Sequence, residues 1–318
     1  MPIYQAVVLA VVQAVTEFLP ISSTAHLALV PWLLKWHDPG LTFDVALHLG
    51  TLVAVLVYFW RVWLRLLFAG FGLALPVKPA VEGGVVGTGV LAPPNPAHNS
   101  GRAARPPTSA ATGVAEASAS PIPDEAVADP RLLWLLMLGT IPAGIAGVAF
   151  KHYVETTLRS PYVMAASLIV VAGAMAYGER VTRQLRELKD VNLADTALIG
   201  CAQALALVPG VSRSGITITV ALLRDLRRDT AARFSFLLAT PVIAGAAASE
   251  GFDLLRQGIP PDMRLPFLLG IAVAALVGYG VIAFFIRYLQ TRSLKIFIYY
   301  RLVFGFIILT LAIFSSAP

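Results

Sequence analysis

The sequence predicts an all-α integral membrane protein, with about six transmembrane helices and two re-entrant helical hairpins arranged as an inverted repeat. Composition is the first observation: 57% of the 318 residues are hydrophobic and 13% are charged, whereas soluble domains are about 25% charged. The second observation is a set of apolar segments that reach the about 20 residues needed to cross a bilayer. The third is two pairs of shorter apolar segments, each interrupted by a polar turn. We therefore expect one polytopic membrane domain over residues 1–318.

The charge balance is basic, but it does not indicate a nucleic-acid partner. The net charge is +6, and membrane proteins collect Lys and Arg in their cytoplasmic loops. The sequence contains no nucleic-acid-binding motif. Its single cysteine, Cys201, excludes an intramolecular disulfide and a metal site made of several cysteines. The predicted environment is the membrane bilayer, with no nucleic acid.

The first predicted hairpin covers residues 3–34. Its two apolar halves, 3–19 and 24–34, are each too short to span a bilayer, and Pro20 breaks the chain between them. A polar turn is tolerated at membrane depth only where protein or a water-filled cavity covers it. We therefore expect this segment to enter the membrane and return to the same side.

The rest of the chain contains longer apolar segments, which we expect to cross the membrane. A segment rich in Pro, Gly, Ala and Ser, residues 71–130, follows the first of them. It has too few large apolar side chains to order itself, so it is predicted to be a flexible inserted cytoplasmic loop. The predicted spans are 43–68, 131–150, 161–179, 232–250, 266–287 and 296–314.

A second hairpin is predicted over residues 193–224, and it repeats the pattern of the first. Its halves, 193–208 and 212–224, flank another polar turn. Gln13 precedes Ser22 by the same interval that separates Gln203 from Ser212, which indicates an internal repeat.

The distribution of basic residues predicts how these segments are oriented. If the end of the first span at 61–65 lies inside and the spans alternate, the two hairpins enter from opposite sides. Inverted repeats of this kind place a polar site near the midplane, between broken helices. Basic residues concentrate inside in this arrangement. Of the 24 Lys and Arg, the outer loops then hold only Lys35, Lys151, Arg159, Arg256 and Arg264.

The first polar turn lies in the sequence QAVTEFLPISSTAH, from Gln13 to His26. Gln13 and Glu17 are four residues apart and share one face of a helix. Such an oxygen-rich face suits a divalent cation, Mg²⁺ or Ca²⁺, with water and a substrate phosphate as further ligands. The alternative is a structural carboxylate that is hydrogen-bonded to the next turn. Because ionisable groups are costly inside a membrane, we favour a functional Glu17.

Hydroxyl side chains follow Pro20 in the same turn. Ser22, Ser23 and Thr24 can cap the helix that starts near Ala25. His26 lies three residues after Ser23, and a hydroxyl and an imidazole one turn apart can form a nucleophile–base pair. Capping and catalysis are both compatible with these residues.

The second polar turn, PGVSRSGIT, leads into a helix. A helix N-terminus binds anions through its free N–H groups, and the planar guanidinium of Arg213 matches phosphate oxygens. The neighbouring hydroxyls of Ser212, Ser214 and Thr217 are further candidates for phosphate binding. The alternative is a purely structural salt bridge between Arg213 and Glu17. We expect the two polar turns to meet in one site.

These two turns together resemble the bacterial undecaprenyl-diphosphatase family, of the bacitracin-resistance type. Gln13 and Glu17 match its (E/Q)xxxE motif, the segment from Ser22 to His26 matches its SSTxH sequence, and PGVSRSGIT matches its PGxSRSxxT motif. The resemblance covers the chain except the loop at 71–130, with further landmarks in FDVALHLG, IGCAQALALVPG, FSFLLATPV and IYYRLVFG. Gln13 replaces the commoner Glu, and His48 stands where the family has Gln.

The resemblance implies that the chain hydrolyses undecaprenyl diphosphate to undecaprenyl phosphate and inorganic phosphate. That reaction recycles the lipid carrier of peptidoglycan synthesis in the bacterial inner (cytoplasmic) membrane and confers bacitracin resistance. A prenyl diphosphate lipid is then the substrate, and a homodimer is an open possibility. The implied catalytic residues are Glu17, Ser23, His26 and Arg213, with Ser23 attacking and His26 as its base. A direct phospho-His26 route stays open. The implied phosphate ligands are Ser22, Ser212, Arg213, Ser214 and Thr217, and the implied metal ligands are Gln13 and Glu17.

The main alternative is an inverted-repeat transporter or flippase of a phosphorylated lipid. Such proteins have the same predicted architecture. Transport needs neither a Ser–His pair nor a cation-binding face, so these two features favour hydrolysis. The type-2 phosphatidic acid phosphatases are excluded, because the sequence SRSGITITVALLRD lacks the His of their motif.

Overall fold

The computed structural model describes residues 1–37, 40–73, 129–258 and 260–315. Helices account for most of these residues, and no strand occurs among them beyond an isolated bridge between Arg186 and Leu226. Most of the predicted loop at 71–130, residues 74–128, lies outside the described part. The helices are α1 (Ile3–Phe18), α2 (Ser23–Leu33), α3 (Leu41–Tyr58), α4 (Trp60–Gly70), α5 (Pro130–Thr156), α6 (Pro161–Val181), α7 (Leu193–Leu205), α8 (Arg213–Leu223), α9 (Arg228–Gln257), α10 (Pro261–Thr291) and α11 (Lys295–Ser315).

Within the described ranges, five helices are each long and apolar enough to cross a membrane: α5, α6, α9, α10 and α11. They correspond to five of the six predicted spans, and each extends a few residues beyond its predicted bounds at one or both ends. The multi-pass all-α fold class is therefore confirmed for the described part of the chain. The inverted orientation of the two halves stays a prediction.

The predicted span over 43–68 is broken rather than straight: α3 and α4 together are long and apolar enough to cross a membrane, but the chain bends by 74° between them. In α4, Val62 and Leu66 are buried against the core, and the guanidinium of Arg61 lies over the ring of Trp60. Basic and aromatic residues on one side and buried apolar residues on the other are typical of a helix that lies along the membrane surface. Ionisable side chains such as those of Arg61 and Arg65 are costly at membrane depth, which favours a place for α4 near the membrane surface.

Both predicted hairpins are present as pairs of short helices, α1 with α2 and α7 with α8. The second helix of each pair follows a serine in the left-handed backbone region, Ser22 with φ of 78° and Ser212 with φ of 70°. Gly210, in the second turn, has φ of 92°, and a Cβ there would lie 2.5 Å from the carbonyl oxygen of Met164. The second turn therefore requires glycine at this position.

Close helix contacts hold the first hairpin in place. The helix α10 packs against both α1 and α3. A Cβ on Gly50 would lie 2.6 Å from the carbonyl oxygen of Ile271, and one on Gly278 would lie 2.9 Å from Ala54 and Phe18. Small residues that let helices approach closely are a main means of packing in membranes. The same contacts set the position of α1, which ends one residue after Glu17.

An ionic cluster ties the second hairpin at its open end. The side chain of Asp195, at the start of α7, is fully buried. It accepts hydrogen bonds from both terminal nitrogens of Arg186, at 3.0 and 2.5 Å, and from Nε of Arg224 at 2.6 Å. These hydrogen bonds raise the pKa of Arg186 above its ordinary value. Because Arg224 follows α8, the cluster joins the two ends of the hairpin.

Candidate active site

The two polar turns meet, as the sequence predicts. Arg213 is the first residue of α8, and its Nη2 donates to Oε1 of Glu17, near the end of α1. The hydroxyl of Ser214 lies 3.2 Å from the carbonyl oxygen of Glu17 and 3.3 Å from that of Leu19. These contacts join residues that are about two hundred positions apart. The hairpin tips therefore form one site.

Glu17 is the centre of this site. Its Oε2 accepts a hydrogen bond from the hydroxyl of Ser23 at 2.7 Å and from Nε2 of Gln13 at 3.3 Å. Nε2 of His48 lies 3.9 Å from the same oxygen. The Glu17 side chain is only 7% exposed, and that of Arg213 is 17% exposed. A carboxylate so placed can accept the proton of Ser23, and it also pairs with the cation of the opposite hairpin.

The structure does not bring the Ser23 hydroxyl and the His26 ring together as a pair. The Ser23 hydroxyl donates to Glu17, whereas the two ring nitrogens of His26 contact the carbonyl oxygen of Ser22 at 2.7 Å and the hydroxyl of Tyr300 at 2.6 Å. Ser23 and His26 are three residues apart on α2, but the ring of His26 packs against α11. Glu17 therefore accepts the hydroxyl proton that the sequence predicts the His26 imidazole to accept.

The two serines that precede α2 and α8 differ in their contacts. The hydroxyl of Ser212 accepts from the backbone N–H of Gly215 at 3.2 Å and so caps α8. The hydroxyl of Ser22 makes no capping bond, and it is buried with no hydrogen-bond partner among the described residues. Of the two roles that the sequence leaves open for Ser22, capping is therefore not observed. Its hydroxyl remains available to a ligand.

The other two hydroxyls predicted to bind phosphate are buried. Ser214 contacts the first hairpin, as described above, and lies 3.3 Å from the hydroxyl of Ser212. Thr217 is fully buried; its hydroxyl donates to the carbonyl oxygen of Arg213 at 2.7 Å and lies 2.6 Å from that of Ser235. In this structure Thr217 braces α8 against α9 rather than facing a phosphate.

Arg301, in α11, holds both turns together. Its guanidinium donates to the carbonyl oxygens of Pro20 at 3.2 Å, Gly210 at 2.9 Å and Val211 at 3.0 Å, and it is fully buried. Further hydrogen bonds reach the carbonyl oxygens of Ser167 and Leu168 on α6. All five of these acceptors are backbone carbonyl oxygens.

The residues predicted to bind a cation fit that role in part. Oε1 of Gln13 is buried and has no hydrogen-bond partner in the described part of the chain, and the Glu17 carboxylate lies beside it. No group of three or more His, Cys, Asp or Glu suited to a metal occurs among the described residues. Mg²⁺ is commonly bound by one or two protein carboxylates together with substrate phosphates. The donor set therefore fits a cation shared with the substrate, not a cage made by protein alone.

The chain is similar to known proteins over nearly its whole length. The chain matches the family described as bacitracin resistance protein BacA over residues 6–81 and 108–307. It is 40% identical to a protein of Moorella thermoacetica over 97% of both chains, and 41% identical to one of Elusimicrobium minutum over the same share. A protein of Desulforudis audaxviator is 40% identical over 98% of both chains. All three are named undecaprenyl-diphosphatase. The chain therefore belongs to the BacA bacitracin resistance family.

Proposed function

We propose that this protein hydrolyses undecaprenyl diphosphate to undecaprenyl phosphate and inorganic phosphate, and so recycles the lipid carrier of peptidoglycan synthesis. The observation that carries the proposal is the arrangement around Glu17. One carboxylate accepts from a serine hydroxyl of its own hairpin and from an arginine of the other. A potential nucleophile, Ser23, thus lies together with its proton acceptor, Glu17, and with Arg213, whose guanidinium can bind a phosphate. Full-length relatives named for this reaction support the assignment.

The contacts favour Ser23 as the nucleophile and Glu17 as its base. The Ser23 oxygen attacks the terminal phosphorus while its proton passes to Oε2 of Glu17, the atom it already contacts. The bond from that phosphorus to the bridging oxygen breaks, and undecaprenyl phosphate leaves. Water then attacks the phosphorus of the phosphoserine, the proton held on Glu17 passes back to the Ser23 oxygen as its bond to phosphorus breaks, and inorganic phosphate leaves with the oxygen and protons of the water. A direct phospho-His26 route is less favoured, because both ring nitrogens of His26 have other partners.

Arg213 and the N-terminus of α8 supply the positive charge that the diphosphate needs. Enzymes of phosphoryl transfer work mostly by positioning and by stabilising charge on the phosphoryl oxygens. Arg213 would exchange part of its contact with Glu17 for a substrate phosphate, and the Ser22 and Ser212 hydroxyls lie in the adjoining turns. The ligands of Mg²⁺ or Ca²⁺ would be Gln13 Oε1, Glu17 and the phosphates. Such an ion would offset further negative charge.

The prenyl chain lies among the apolar helices while the diphosphate reaches the hairpin tips. The membrane is the bacterial inner membrane, in agreement with a substrate that carries cell-wall precursors, and hydrolysis of the diphosphate underlies bacitracin resistance. Assembly as a homodimer stays a prediction. A lipid flippase would use the same polar site, but it has no need for the contact between Ser23 and Glu17.

Phosphate release by the purified protein in detergent tests the proposal. Undecaprenyl diphosphate is the substrate, with and without excess chelator, and Arg213→Ala is compared with Arg180→Ala, a change of an exposed arginine at the end of α6. We expect metal-dependent release that collapses only in Arg213→Ala. No release from folded wild-type protein would contradict hydrolysis, and lipid flux in liposomes would then test transport.

A further inference from the structure

The contacts of His26 define which of its nitrogens carries a proton. Nδ1 lies 2.7 Å from the carbonyl oxygen of Ser22, and a carbonyl oxygen only accepts. Nδ1 is therefore the protonated nitrogen. In the neutral ring Nε2 is then an acceptor, and the hydroxyl of Tyr300, 2.6 Å away, donates to it. The chain Tyr300 to His26 to Ser22 ends one residue before the proposed nucleophile.

Aromatic contacts from α11 fix the plane of the same ring. Phe304 stacks on His26 with ring centroids 4.1 Å apart and planes 15° apart, and Tyr300 lies nearly parallel to it at 5.7 Å. Tyr300 and Phe304 are four residues apart and so lie on one face of the helix. His26 is 8% exposed, whereas Tyr300 is 42% exposed. Hydrogen bonds at both ring nitrogens and stacking on Phe304 therefore hold the His26 ring in place.

The same turn of α11 also holds the backbone of both hairpin tips. Arg301, next to Tyr300, donates to the carbonyl oxygens of Pro20 and Gly210. The turn from Pro20 to Ser23 is thus held at two points: Arg301 binds its first carbonyl, and His26 binds the carbonyl of Ser22. Ser22 has a left-handed backbone, with φ of 78°. Such a conformation is unfavourable for a residue with a side chain and persists where neighbouring contacts fix it.

We infer that Tyr300 is a positioning residue, which acts through His26 to hold the Ser22 carbonyl and thereby aims the Ser23 hydroxyl at Glu17. In this role His26 stabilises the turn and takes no proton from the nucleophile. Removal of the Tyr300 hydroxyl leaves Nε2 without its donor, so the ring is held less firmly and its contact with Ser22 is weakened. The substrate's contacts with Arg213 are not affected. The inference rests on the proposed function, since it assigns Tyr300 to that reaction.

Kinetics of Tyr300→Phe, with Tyr299→Phe as its matched control, test the inference. Tyr299 is the preceding residue and is 66% exposed. We expect kcat of Tyr300→Phe to fall about fivefold to tenfold, the loss that corresponds to one hydrogen bond, with KM within about twofold of wild type. Tyr299→Phe should match wild type. His26→Asn, whose amide can occupy the place of Nδ1, should retain more activity than His26→Ala. Equal kinetics for the two tyrosine variants, or equal losses for the two His26 variants, would overturn the inference.

A nitrogen-15 spectrum of labelled histidine reads the same contact without substrate. The chain has five His, so His26→Asn identifies the signals of His26. Wild type should show a protonated Nδ1 and a hydrogen-bonded Nε2, and Tyr300→Phe alone should move the Nε2 signal toward that of a free imidazole. An unchanged signal would refute the contact. If the contact is seen but wild type releases no phosphate, the proposed function fails and the positioning contact stands.

Discussion

Arg213 donates to Glu17 across 196 residues of sequence, and this contact joins the two helical hairpins in one buried site. The ion pair is both the structural salt bridge that the sequence leaves open and the core of the proposed catalytic site. A buried charge is costly once its partner is removed. Substitutions here therefore need measurements that separate folding from turnover.

Replacement of Arg213 by lysine tests whether the reaction needs the planar guanidinium or only its positive charge. Lysine keeps the charge but cannot bind a phosphate through two nitrogens at once, nor span from Glu17 to a substrate. We expect kcat/KM to fall about tenfold to a hundredfold, the range for a lost hydrogen bond to a charged group, while thermal unfolding in detergent changes little. Kinetics like those of wild type would show that Arg213 serves as a point charge only.

Removal of the proposed nucleophile should nearly abolish turnover. Ser23→Ala leaves Glu17 with its arginine partner but without the attacking oxygen, and we expect at least about a thousandfold loss of kcat, as for other enzymes that lose a nucleophile. Thr24→Ala is the control, because Thr24 is the next residue and is exposed. Trapping of phosphate on wild type and not on Ser23→Ala is the second measurement. Phosphate on His26 in wild type would contradict the assignment.

The cation proposal predicts a change in metal affinity at position 13. In Gln13→Glu, two carboxylates face each other one helical turn apart, and bound Mg²⁺ or Ca²⁺ relieves their repulsion. The cation concentration for half-maximal activity should therefore decrease, whereas in Gln13→Ala it should increase. Gln290→Glu, at an exposed position of α10, should leave it unchanged. Full activity of wild type in excess chelator would contradict a metal requirement.

Asp195→Asn tests the cluster that ties the second hairpin. The substitution removes the charge that Arg186 and Arg224 share. We expect a loss of about 2 kcal/mol in the free energy of unfolding, below the ~3–5 for a fully buried pair because both guanidinium groups are partly exposed. Denaturant unfolding in detergent measures it, and Asp262→Asn at an exposed site is the control. Equal stability of the two variants would show that the cluster does not hold the hairpin.

The sequence is sufficient to predict the hairpins and their meeting point. The short apolar halves around Pro20 and around PGVSRSGIT cannot span a bilayer. Polar turns at membrane depth must be buried against protein, so two such turns are expected to pack against each other. The bend after Tyr58 is not predicted, because apolar residues continue through it and only the positions of Arg61 and Arg65 mark the membrane surface.

The partners of His26 could not be predicted in the same way. Which face of α2 meets α11 depends on the packing of helices 274 residues apart, and local spacing favours Ser23 instead. Tyr300 has no distinguishing signal in a span that contains several aromatic residues. The sequence distinguishes Tyr300 only by its position next to Arg301, the single charged residue inside that span.

Glu17→Gln tests the central claim most directly, with phosphate release and thermal unfolding measured on the same purified protein. Glutamine keeps the shape and an acceptor oxygen for Arg213, but it cannot take the proton of Ser23 or carry the charge of a cation ligand. We predict that turnover falls at least about a thousandfold while protein yield and unfolding temperature change little. If turnover falls only in proportion to yield and stability, Glu17 is a structural carboxylate and not the base of the reaction.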